Sequence, residues 1–139
     1  MAGSTWRSIV LGLGLAVLVG SAGCAQAQAP MAPPGGEYKK VSTLVPLPDY
    51  LPGLGTLYVD PKTLAVGPFL AYDKEGHLVG SVYMVPVKDI EAHKKLDKLN
   101  VAKEKVDHVD MYYNAGHPGV PEPHYHVVLW YVTADKEPK

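Results

Sequence analysis

The sequence predicts an α+β fold, mainly β: an antiparallel sheet, sandwich- or barrel-like, with one short helix. Three observations predict it. Short runs of alternating, β-branched and aromatic residues recur between clusters of Gly, Pro and Asp. A single segment, residues 89–99, changes to helical spacing. Gly and Pro concentrate in the N-terminal third and in one C-terminal loop, which leaves the remainder able to form a core. At 139 residues the chain suits one domain plus an extension. Its formal net charge is −1 and it has no polybasic cluster, so nothing electrostatic recommends nucleic acid or an anionic membrane surface as partner.

Residues 1–24 read as a lipoprotein-type signal peptide. Arg7 precedes the apolar run 9–19, which is shorter than the roughly 20 residues a membrane span requires. Gly20-Ser21-Ala22-Gly23 then leads to Cys24, the only cysteine, so no intramolecular disulfide forms. Ala22-Gly23-Cys24 is similar to a lipobox, in which a small residue precedes a cysteine that is lipidated; Ser21 stands where that pattern prefers an aliphatic residue. The alternative is cleavage after Ala27 within Ala25-Gln26-Ala27, which discards Cys24. Both routes export the chain, as a periplasmic or outer-surface lipoprotein or as a soluble secreted protein. A lipid on Cys24 would be its one tie to a membrane.

Residues 25–52 form a Pro/Gly-rich tether and surface segment, since repeated proline removes donors and favours extended chain. Val41, Leu44, Val45 and Leu47 are its expected contacts with the domain at 53–139. Residues 55–60 read as a strand ended by Asp60-Pro61. Residues 68–72 and 77–87 form a hairpin around Asp73-Lys74-Glu75-Gly76, with Gly76 where a turn needs positive φ. In the second arm Leu78, Gly80, Val82 and Met84 share one face. Residues 89–99 predict the helix, with Asp89 as N-cap and Ile90, Leu96 and Leu99 on its apolar stripe.

A last hairpin, 106–114 with 124–133, carries the chemistry. Four of the six histidines lie in it or in its loop. Strand alternation places His108, Asp110 and Tyr112 on one face, with His124 and His126 on the matching face of the partner. The apolar series Val109, Met111, Tyr113 and Tyr125, Val127, Leu129 then reads as the core side. Pairing Tyr112 with His124 would set Asp110 opposite His126, within about 5 Å between Cβ atoms. Imidazoles two residues apart on a strand, joined by a carboxylate and by His117 from the Gly116-His117-Pro118-Gly119 turn, can hold one transition-metal ion, zinc or copper by donor type. Glu122 is a further oxygen donor in that loop. The competing reading has these histidines as structural hydrogen-bonding groups. His77 and His93 read as surface residues. No nucleophile motif or phosphate loop occurs.

His108-Val109, Asp110, Tyr113-Asn114, Gly116-His117, Pro123-His124-Tyr125 and Trp130-Tyr131 together resemble a small family of exported bacterial proteins typified by a Thermus thermophilus domain. The chain departs from the pattern at His126, where the family tends to have Asp, and at Val128, where it tends to have His. The resemblance implies a β-rich, self-associating fold and no particular activity. The sequence thus supports a metal- or ligand-binding domain using His108, Asp110, His117, His124 and His126, with a homo-oligomeric assembly module as the other class. A metal-dependent enzyme with Asp110 or Glu122 as base is the third.

Overall fold

The computed structural model describes residues 31–139; the expected signal peptide with Cys24, and the alternative of cleavage after Ala27, lie outside them. Six strands form one antiparallel sheet: β1 (Lys39–Lys40), β2 (Thr56–Val59), β3 (Phe69–Tyr72), β4 (Leu78–Pro86), β5 (His108–Asn114) and β6 (His124–Trp130). Their spatial order is β1-β2-β3-β4-β6-β5. The β-dominated reading holds. The sandwich or barrel form does not: among the described residues β1 and β5 are the two edges of the sheet and do not pair with each other, and no second sheet lies against it. No helix among these residues is long and apolar enough to cross a membrane.

Alternation explains two cores, one per face. Val59, Phe69, Val82, Met84, Val128 and Trp130 pack on one side with Val41, Leu54 and Val120 from the loops. Leu70, Tyr72, Leu78 and Ala102 pack on the other. Leu78 and Val82, expected on one face, are split by a bulge: Ala71 pairs with Gly80 but Tyr72 pairs with Leu78, leaving Val79 over. The extra residue inverts the alternation, so Val79 joins the first core and Leu78 the second. The β3–β4 turn is as read, with Gly76 at φ 85° and the Asp73 carboxylate accepting from the His77 amide at 2.8 Å.

The segment before β2 contributes more than a surface strap. Lys39–Lys40 pair with Tyr58 and Val59, Val41 is buried in the first core, and Val45 and Leu47 pack against it. Leu44 stays largely exposed. Farther upstream Met31 bridges to His77 beside the β3–β4 turn.

The predicted helix is reduced to α1 (Val87–Glu91), which begins directly after Pro86, so Asp89 lies inside it and caps nothing. His93 and Lys98 adopt positive φ, 53° and 56°, which no helix over 89–99 can contain. The physical reason is that the apolar stripe has nothing to cover: Ile90 and Leu99 are exposed. Short helices form when tertiary packing rewards one face. Residues 92–107 instead run irregularly over the second core, where Ala102 is buried and the Tyr83 hydroxyl donates to the Asn100 carbonyl at 2.5 Å.

Candidate functional site

The C-terminal hairpin forms, two residues away from the expected register. His124 pairs with Asn114, His126 with Tyr112, and Asp110 with Val128. Asn114 sets the shift by accepting from the Gly116 amide at 2.8 Å through its side-chain oxygen. His117 and Val120 close a two-way backbone bridge beyond it (2.9 and 3.0 Å). The loop is therefore tighter than sequence suggested, and the strands zip two residues farther. A shift of two preserves facing, so His108 and Asp110 do share a face with His124 and His126. They sit lower on it, away from the histidine pair.

The expected core side is inverted. His124, His126, Val128 and Trp130 are buried at 0%, 4%, 0% and 2% exposure, while Val109, Met111 and Tyr113 are exposed. β6 is central and lies between β4 and β5, so its inward face must supply core whatever its polarity. Val128 and Trp130 do so next to Val82 and Gly80 of β4, and the histidines continue the same row.

Along that row the structure assembles two groups. The first joins His117, His124 and His126, with one ring nitrogen of each within 4.8 Å of the others. Nε2 of His124 lies 3.0 Å from Nε2 of His126. The His117 ring stands edge-on to both, with centroids at 4.9 and 5.6 Å. The outward nitrogens are occupied. Nδ1 of His124 is 2.6 Å from the Glu122 carbonyl, Nδ1 of His117 is 3.0 Å from the Pro118 carbonyl, and Nδ1 of His126 is 3.1 Å from the Tyr112 hydroxyl. A carbonyl can only accept, so His124 and His117 donate from Nδ1, which leaves Nε2 as the nitrogen of each that can face an ion. His126 is held neutral, its pKa pushed down to about 4 by burial first and then by His124 and His117.

The second group is His108 with carboxylates. Its Nδ1 lies 2.8 Å from Asp107 and its Nε2 2.9 Å from Glu137. Asp110, also nearby, accepts from the Trp130 indole at 2.9 Å. The hydrogen bond to Asp107 raises the His108 pKa, desolvation opposes it, and Glu137 raises it further. Held by a carboxylate on each side, His108 clasps β5 to the C-terminal turn. His108 and Asp110 thus stand apart from the triad and, with Glu137, bring their ligand atoms within 4.8 Å of one another as a second group of donors that could hold an ion; the Glu122 carboxylate pairs with Lys88 at 2.6 Å.

The clasp has a pH signature. The folded state binds the His108 proton more tightly than the unfolded chain, so its stabilisation is complete below about pH 6.5 and is lost as pH rises through the higher folded value. His108 should titrate above 6.5 by NMR, and Glu137→Gln should bring that midpoint down. A midpoint at or below 6.5 in the unaltered protein would refute the clasp.

The histidine triad opens onto a cavity of about 350 Å³. His117, His126, Tyr112 and Asn114 form its polar end, and Leu44, Leu57, Phe69, Met84 and Val120 are among its apolar walls. Among the described residues, no Asp, Glu, Lys or Arg lines it. Sequence reading found the three histidines but missed Tyr112, Asn114, Glu137 and the cavity. Tyr112 was signalled by sharing a face with His126; the cavity depends on residues 41–65, which no local pattern connects to the hairpin.

Neither a protein-family profile nor a curated protein matches the chain. Among solved structures it is similar to the crystal structure of the hypothetical protein TTHB210 from Thermus thermophilus. The two are 48% identical with a TM-score of 0.58, over 65% of this chain and 83% of that one. At that identity and coverage, the chain belongs to the family typified by the Thermus protein.

Proposed function

We propose that the domain binds a transition metal, zinc or copper, through His117, His124 and His126. The observation that carries this is the convergence of the three rings, each with its outward nitrogen already hydrogen-bonded. Metal-binding histidines are typically oriented by such a bond from the other ring nitrogen. Nitrogens about 2.0–2.1 Å from a tetrahedral zinc stand about 3.4 Å apart. The 3.0 Å pair and the 4.8 Å limit bracket that spacing. His124 is fully buried, whereas His117 and His126 border the cavity, the side from which a fourth ligand can arrive. Three imidazoles with an open position suit zinc or copper. The signal-like N-terminus supports an exported and lipid-anchored setting for this site.

The test is metal content of the purified protein by elemental mass spectrometry, before and after incubation with zinc and with copper. About one ion per chain is expected. None after incubation would sink the reading.

A second reading, self-association, is favoured by the β5 face that sequence assigned to the core. Val109, Met111 and Tyr113 are 56%, 61% and 55% exposed on an edge strand whose outer backbone groups lack a ladder partner among the described residues. A second copy added there would cover both. Sedimentation should give a mass above that of a monomer, reduced by Met111→Glu; a monomer at all concentrations would end this reading.

A further inference from the structure

We infer that the cavity beside the triad holds a free amphiphilic carboxylate, its head on the triad's metal and its hydrocarbon body among the apolar walls. This rests on the metal reading and adds the class of ligand.

Three features point to it. The first is charge. A divalent ion held by three neutral imidazoles keeps its two positive charges, and among the described residues the cavity lining contains no Asp or Glu to offset them. In surroundings this apolar the missing anion is strongly favoured as the remaining ligand. The second is volume and lining. About 350 Å³ walled by Leu44, Leu57, Phe69 and Met84 is far more than a hydroxide or chloride needs, and it is apolar where a sugar or phosphate would demand donors. The third is a pair of donors at the polar end. Nε2 of His126 on the metal fixes its proton on Nδ1, which then donates to the Tyr112 oxygen. That turns the Tyr112 hydroxyl proton away from His126 and toward the cavity that Tyr112 borders. Asn114 spends its side-chain oxygen on the Gly116 amide, which leaves its NH₂ as donor. One carboxylate oxygen on the metal and the second facing Tyr112 and Asn114 satisfies every group at that end.

The experiment is calorimetric titration of the zinc-loaded protein with butanoate, hexanoate and octanoate, beside octanol and acetate. Zinc content is read on the same samples. Octanoate should bind, tightening about fourfold for each methylene added from butanoate as apolar surface is buried. Removing zinc, or substituting octanol for octanoate, should weaken binding by at least about tenfold. Leu44→Trp, at an exposed wall position, should abolish octanoate binding while zinc is retained, and Tyr112→Phe should weaken octanoate more than it weakens zinc. Zinc bound with no dependence on chain length, or octanol binding as tightly as octanoate, overturns this inference and leaves the metal reading standing. A protein that takes up no zinc overturns both.

Discussion

Zinc added to this protein at about a hundred times its dissociation constant should raise the unfolding free energy by about 2.7 kcal/mol, a Tm rise of about 10 °C for a domain of this size. In the His124→Ala/His126→Ala variant that increment should vanish, together with the bound ion. The size of the contrast follows from the geometry. His124 and His126 supply the two nitrogens 3.0 Å apart, and without them only the half-buried His117 on its turn remains. A single imidazole does not hold an ion against chelator. The comparison is made between loaded and chelated samples of each protein, so any loss of packing from the alanines is common to both and cancels. If the variant is still stabilised by zinc to the same extent, the ion binds elsewhere.

Trp130→Ala should cost about 3–5 kcal/mol, out of the roughly 5–15 kcal/mol that holds a domain together. The indole is 2% exposed and lies on Gly80, its partner across β4, where a Cβ would meet the ring at 3.1 Å. No side chain at that position can fill the space if the indole goes. Trp130→Phe separates the contributions, keeping a ring against Gly80 and losing the hydrogen bond to Asp110. It should cost about 1 kcal/mol, since the Asp110 carboxylate is exposed and water can replace its donor. Urea unfolding followed by circular dichroism measures both, because the substitutions remove the one tryptophan among the described residues. A cost under about 1 kcal/mol for the alanine would mean that β6 is not the centre of the core.

Both outcomes bear on what sequence made legible. The β-rich class, the β3–β4 turn at Gly76, the terminal hairpin and the grouping of His117 with His124 and His126 were readable, because each rests on local periodicity or turn chemistry. The hairpin's register was not, since it hangs on one side-chain hydrogen bond, Asn114 to Gly116, that tightens the loop. The core side was misread for a deeper reason. Polarity assigns histidines outward, but β6 sits between two strands, and its inward row is buried whatever its polarity. The helix over 89–99 was an amphipathic pattern without a surface to cover. Glu137 lies far along the chain from His108, and no local pattern joins them.

The three histidines also differ in how they are carried. His124 and His126 are fixed on a strand bonded on both sides, while His117 sits in the turn between Gly116 and Val120. Exchange of an ion held by the triad, as proposed above, would therefore begin at His117. With the turn as the softer support, His124 and His126 would be the last to release such an ion, and its residence time would follow the opening rate of that loop. Stiffening the turn would lengthen the lifetime of the complex through its off-rate and leave the strand ligands as they are.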